Sequence, residues 1–358
     1  MIGRRWIRHT ALVALVVLPV LTAGCSLFSK ETSQPIDPPP LDQSGSQVDM
    51  TDDAGSEQTS MGSLPSEGDV PRMTVYLQDP DGYLAPVALP YTLADGVLPG
   101  QKALEMMVEN GAYAAGVPEG FRAMLPQGTR ILNYDVNPDT KIATVDFSES
   151  FVSYNPQDER AMLESIAWTL TASPEVKGVE LYVEGERLSE MPIAGYPLDE
   201  ALTRGIGINI EIAEGVAYNA SFPVTLYFSN QTLNEEQYYV PVTRLVARSD
   251  SALHAAMEEL IEGPIDNNLT GVIIPGMEVA SIEEIDGVVT VDLLDETYED
   301  GLPIPAEMLE AVVLSLTENT DAAAVQVMIN GQSGIMDDHN RSYSEPVGRN
   351  HHVNALKS

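Results

Sequence analysis

The chain has 358 residues, with 54 acidic against 18 basic side chains and a net charge of −36. That balance excludes nucleic acid and bare anionic membrane surfaces as partners, because both demand an excess of positive charge somewhere on the surface. It suits solubility in an extracytoplasmic space or recognition of a basic protein, and the length suits two or three domains of ordinary size.

Arg4, Arg5 and Arg8 precede an apolar run over residues 11–21 that is too short to span a bilayer but has the length of a signal-peptide core. Residues 1–24 are therefore expected to be a leader. Arg4-Arg5 also suits the start of a twin-arginine signal, but the residues that follow do not. The run ends in Leu21-Thr22-Ala23-Gly24-Cys25, which resembles a bacterial lipobox. Thr22 stands where a branched apolar residue is usual, with Leu21 one place further back. Cys25 is the only cysteine, so no internal disulfide can form, and lipidation gives a free extracytoplasmic thiol its reason. Acyl chains contribute about 0.8 kcal/mol per buried CH₂, so two or three of them anchor a protein stably. Residues 25–71 are rich in Ser, Gln, Asp, Gly and Pro and read as a flexible tether, with a mean reach of about 35–40 Å.

The first folded unit, expected over 72–212, opens with a short strand at 73–77 closed by Asp79-Pro80-Asp81-Gly82. This is a plain turn, since the spaced ligands and distal glutamate of a calcium loop are missing. A second strand follows over about 83–92, then a helix with the stripe Ala103, Leu104, Met107 and Val108 that stops near Gly111. Leu125-Pro126-Gln127-Gly128 turns into a strand at 129–135, and Asn137-Pro138-Asp139 turns back into 141–147.

Residues 144–185 then recur at 290–331 with an offset of 146. Thr144-Val145-Asp146-Phe147 returns as Thr290-Val291-Asp292-Leu293. The helix stripe Met162, Leu163, Ile166, Ala167 and Leu170 returns as Met308, Leu309, Val312, Val313 and Leu316. Val179, Leu181 and Val183 alternate up to Glu184-Gly185, as Val325, Val327 and Ile329 do up to Asn330-Gly331. The second unit, expected over 222–355, also repeats the earlier landmarks: Thr225-Leu226-Tyr227-Phe228 answers Thr74-Val75-Tyr76-Leu77, and Ile274-Pro275-Gly276 answers Leu125-Pro126. Even the endings correspond, Arg204 to Asn209 in one and Arg349 to Asn354 in the other, with Arg and Asn placed to satisfy backbone groups at a seam. The fold class is α+β: two tandem homologous α/β sandwich domains, helices on a mixed sheet, side by side as a rigid or nearly rigid pair.

Catalytic chemistry is thin. Asp146 and Asp292 are repeated carboxylates; a general base is one reading, but at the end of a strand such a residue more often bonds backbone amides of a turn. Glu164 and Glu310 fall off the apolar stripe and are expected to be solvated. Trp168 and Leu314 also fall off it, and a partly exposed Trp168 is either a core-edge residue or an interface anchor. His254 and His339 have no partners in the sequence, and His351-His352 on adjacent positions reads as a plain tail without cysteine partners for a metal. No nucleophile elbow, Cys–His pairing or phosphate-binding loop is present. No cofactor, metal or catalytic residue is assigned.

With its lipobox, polar tether and paired motifs ALEMMVENG…LPQGT…ATVDFSESF…GVELYVEG and AAMEELIEGP…IPGMEV…VTVDLLDETY…VQVMING, the chain resembles the GerM family of sporulation lipoproteins, built from two GerMN domains. The resemblance covers roughly residues 73–354. It implies a lipid-anchored protein facing the space between mother cell and forespore, with a part in assembling the channel that crosses the two membranes. It also implies domains similar to the ring-building motifs of that machinery, and channel proteins and the membrane, through lipid on Cys25, as partners. No active-site residues come with the family. The alternative is a lipoprotein of the spore envelope that acts on or binds peptidoglycan; a solute-binding lipoprotein is weaker, because such proteins are usually doubly wound across a hinge.

Overall fold

The computed structural model describes residues 71–249, 251–350 and 352–356. The expected leader, Cys25, the tether up to residue 70, and His351 lie outside the described residues.

Each repeat opens with an antiparallel hairpin. In the first, β1 (Arg72–Gln78) pairs with β2 (Leu84–Pro90). Their turn is held by its own aspartate, Asp79 Oδ1 accepting from the amides of Asp81 at 3.0 Å and Tyr83 at 2.8 Å, as a plain Asx turn does. α1 (Pro99–Met106) begins with proline in its first turn, where a missing N–H costs nothing. It ends before its apolar stripe does. Met107 and Val108 remain buried, but the Met107 carbonyl accepts from Leu125 N and the Leu125 carbonyl accepts from Glu109 N, so an extended segment takes the groups that the next helical turn would have used.

β3 (Ile131–Val136), β4 (Ile142–Phe147), α2 (Glu159–Leu170), β5 (Gly178–Val183) and β6 (Glu186–Arg187) follow. They form a sheet of order β3-β4-β5-β6 in which only β4 and β5, joined through α2, run parallel. A short β7 (Glu211–Ile212) leads out. The second repeat retraces this course: hairpin β8 (Ser221–Gln231) and β9 (Gln237–Ala247), α3 (Ala252–Glu262), β10 (Glu278–Ile285), β11 (Val288–Leu294), α4 (Ala306–Glu318), β12 (Ala324–Ile329) and β13 (Val347–Gly348). Its sheet runs β10-β11-β12-β13, with β11 and β12 parallel.

The duplication holds at the level of register. Ile142 pairs with Gly178 and Asp146 with Tyr182, while Val288 pairs with Ala324 and Asp292 with Met328. β4 alternates strictly: Ala143, Val145 and Phe147 face the helix and are buried, and Ile142, Thr144 and Asp146 face outward and are half-buried. The fold is α+β with two tandem homologous repeats, as the two periodicities imply. Each central helix is covered on a second side by its own hairpin. Ser165 Oγ donates to the Tyr76 carbonyl at 2.5 Å, and Tyr76 N donates to Thr169 Oγ1 at 2.9 Å. In the second repeat Tyr227 N donates to Ser315 Oγ at 3.0 Å. Buried apolar side chains form a continuous cluster that runs from Val75 in the first hairpin to Leu356 in the tail.

The repeated aspartates serve turns, though not the turns that follow their own strands. Asp146 Oδ1 accepts from Gly185 N at 3.0 Å and Asp292 Oδ1 from Gly331 N at 2.9 Å, each reaching across to the turn that ends the neighbouring parallel strand. Those turns have positive φ at both central residues, Glu184-Gly185 and Asn330-Gly331, a conformation suited to a tight hairpin. Asp292→Ala is expected to cost about 1–2 kcal/mol, the worth of a hydrogen bond to a charged acceptor. Asp292→Asn keeps the acceptor oxygen and retains most of the stability. Urea unfolding of the two variants checks this, and equal losses in both would contradict it.

Candidate functional site

The most heavily built polar feature lies where the two repeats meet. Glu318, at the end of α4, receives Arg204 Nη1 on both carboxylate oxygens at 2.5 and 2.6 Å. It also receives Arg349 Nη2 at 2.9 Å and the Tyr227 hydroxyl at 3.2 Å. Arg204 stacks on Trp168 at 4.3 Å and Arg349 on Tyr227 at 5.2 Å. Tyr76 and Tyr227 complete the cluster, and burial pushes both phenols up, holding them neutral. Burial alone would raise the Glu318 carboxyl, but Arg204 and then Arg349 outweigh it and hold the group below its ordinary range.

The segments that carry these arginines exchange places. Asn209 accepts from Leu84 N and donates to Leu84 O within its own repeat, both at 2.8 Å, and donates to Pro241 O of the other at 2.7 Å. Asn354 accepts from Tyr239 N and donates to Tyr239 O, both at 2.8 Å, and donates to Pro86 O of the first repeat at 2.8 Å. Both asparagines have positive φ, which Asn tolerates better than most residues. The exchange is reciprocal in the manner of an isologous dimer interface. β7 then adds to the second hairpin in parallel with β9, and its Glu211 meets Arg244 at 2.5 Å. Arg244 is buried; it also donates to Glu259 Oε2 at 2.9 Å and to the Gly263 carbonyl at 2.8 Å at the end of α3, where the helix dipole favours a cation.

The other sequence-derived candidates are dispersed. Glu164 is buried instead of solvated: Arg160 Nε donates to it at 2.6 Å, Asn209 N at 3.2 Å, and burial pushes its carboxyl up against the pull of Arg160. Glu310 is half-buried, with Asn350 Nδ2 donating at 3.1 Å. Both were expected in solvent, and both are covered because the exchanged tails lie over the helix faces that turn away from the sheets. Trp168 is a core residue, 1 % exposed, whose Nε1 donates to Gly207 O at 2.9 Å; Leu314 is likewise buried. His254 lies 3.2 Å from Glu258 on an exposed helix face. Asp146 and Asp292 belong to separate sheets. No group of three or more His, Cys, Asp or Glu among the described residues is arranged to hold a metal ion. The sequence reading missed Glu318, the Tyr76–Tyr227 contact and the Arg244 ion pairs, although the repeated tyrosines and paired arginines were the visible traces of the seam.

β3 and β10 are edge strands paired on one side only. β10 carries exposed Glu278, Glu283 and Glu284, charges that discourage pairing with another copy. On the outer face of the second sheet Ile285 and Leu294 are exposed, with Ile285 opposite Val288.

Glu318→Gln leaves two guanidinium groups at the seam without their counter-charge, and a loss of about 3 kcal/mol is expected at neutral pH. Because the carboxyl is held below its ordinary range, the stabilisation is complete above the unfolded carboxylate range and lost as pH falls through the folded value. The gap between wild type and Glu318→Gln should therefore shrink from pH 7 to pH 3 in thermal melts. A gap that widens on acidification would contradict the assignment.

A family profile described as "Germane: Sporulation and spore germination" matches residues 74–189 and 225–334. The chain is 33% identical over 354 residues to the spore germination protein GerM of Bacillus subtilis (strain 168), covering 94% of each chain. It is also similar to the solved tandem GerMN domains of the sporulation protein GerM from Bacillus subtilis, with a TM-score of 0.74 at 33% identity, covering 79% of this chain and 99% of that one. With both repeats matched and the likeness extending over nearly the full length of the relative, the chain belongs to the GerM family of sporulation and spore germination proteins.

Proposed function

We propose that this protein is a non-enzymatic assembly factor of the sporulating cell, held at the extracytoplasmic face of a membrane by lipid on Cys25. Its repeats, expected over 72–212 and 222–355, act as one block that binds proteins of the channel between mother cell and forespore. The observation that carries this reading is how the buried acids are used. Asp79 receives Tyr238 and Asn230, Glu159 receives Tyr154 and two amides, Glu164 receives Arg160, Asp295 and Asp337 receive turn amides, and Glu318 receives two arginines. A general acid or base must present its oxygen to a substrate, and these are occupied in holding backbone and seam together. A second support is the acidic surface, which favours basic protein partners over phosphate-bearing ones.

Cys25→Ala is expected to release the protein from membranes or leave its leader uncleaved; normal processing and retention of that variant would sink the anchor. Crosslinking of the full-length protein during sporulation, read by mass spectrometry beside a peptidoglycan digestion assay, tests the rest. Recovery of channel membrane proteins without wall fragments is the expected result. Soluble muropeptides that disappear when Asp146 or Asp292 is changed would replace this reading with a wall-acting one.

A further inference from the structure

The first repeat contains a cavity of about 490 Å³, within the range of ligand pockets. Its walls are Leu98, Gly100 and Ala103 of the α1 region, Tyr134 of β3, Leu170 at the end of α2, and Val176 in the connection to β5. The back wall is set by close packing, because a Cβ on Gly100 would lie 2.1 Å from the Tyr134 hydroxyl. The mouth is polar and exposed, formed by Asp135, Ala172, Ser173 and Glu175. Neither carboxylate has an ion-pair partner among the described residues. His352, from the tail of the second repeat, closes one side.

The second repeat treats the same place differently. The offset of 146 puts Asn319 where the first repeat has Ser173, and Glu318 where it has Ala172. Asn319 turns inward: its Oδ1 accepts from Thr225 N at 2.9 Å, and its Nδ2 donates to the carbonyls of Thr225 and Ser315, both at 2.7 Å. Thr225 answers Thr74, which lines the cavity of the first repeat. One copy thus ties its helix end to the hairpin with an amide side chain, while the other carries serine and alanine at the mouth of the cavity.

We propose that this cavity receives one large apolar side chain from a partner protein, on a segment with basic residues to either side. Apolar walls of this size take an aromatic side chain, and a central buried anchor ringed by polar contacts is how protein interfaces concentrate their affinity. Asp135 and Glu175 at the mouth favour positive neighbours, although Lys141 Nζ donates to the Pro174 carbonyl at 3.0 Å beside Glu175 and offsets part of that charge. This rests on the partner-binding reading above and names the chemistry of that partner.

The probe is the peptide Ac-Lys-Lys-Trp-Lys-Lys-NH₂, titrated calorimetrically against the full chain beside versions with Gly in place of Trp and with Glu in place of Lys. The Trp-Lys peptide should bind at least tenfold tighter than either. Ser173→Asn, which copies a residue the second repeat already accommodates, and Ala172→Leu, at the exposed mouth, should each remove that advantage with an unchanged melting temperature. Equal binding by the Trp and Gly peptides overturns the cavity, and equal binding by the Lys and Glu versions overturns the charge selection. Full binding by both folded variants also places the peptide elsewhere and overturns the proposal. In crosslinking, a wild-type chain that recovers no protein defeats the partner-binding reading itself. Partners retained by Ser173→Asn defeat only the cavity, and partners lost from it support both.

Discussion

One carboxylate, Glu318, sits between guanidinium groups supplied by both repeats, Arg204 and Arg349. Glu318 is nearly buried while the two arginines keep about a quarter of their side chains exposed, and a carboxylate so placed is stable only when its charge is paired and its remaining hydrogen-bond sites are used. Here stacking on Trp168 and Tyr227, and the Tyr227 hydroxyl, complete the set. The arginines stand at the heads of the segments that end in Asn209 and Asn354, so whatever fixes Arg204 and Arg349 also fixes the asparagines that bridge the two hairpins. Symmetry is broken where it has to be: the first repeat has Ala172 in the place of Glu318, and both arginines converge on a single acid.

Much of this fold can be read from the sequence, because its signals are local. The stripes of α2 and α4, the alternation of β4 and β11, and the turns at Gly185 and Gly331 follow from the geometry of single elements. Glu164 and Trp168 could not be placed in the same way. A helical stripe identifies the face that meets the sheet and says nothing about what covers the other sides. α2 is enclosed on those sides by β1, through Ser165 and Thr169, and by the tail at Gly207 and Asn209. These are contacts between residues 39 to 93 positions apart, to which a periodicity is blind. The paired endings were visible as a repeat, but the crossing of each tail onto the other hairpin is a property of the assembled pair. The cavity beside Tyr134 was missed for a related reason: its mouth is bordered by the small residues Ala172 and Ser173, and the lack of a large side chain leaves no pattern to detect.

The exchange changes what a tandem repeat means here. In a string of independent domains each copy satisfies its own backbone, and the linker sets their spacing. In this chain β9 takes part of its pairing from β7, and buried Arg244 has one of its two acidic partners, Glu211, on the segment that leaves the first repeat. The second hairpin is therefore incomplete without that segment, just as β2 is incomplete without Asn354, and folding of the two halves is coupled through the same hydrogen bonds and ion pairs. A protein partner of the kind proposed above would meet one surface with fixed spacing, without the ordering entropy that a flexible linker would impose. The two copies can then differ outside the seam, with an open cavity beside β3 and an acid-lined edge at β10, because neither feature is needed to hold the halves together.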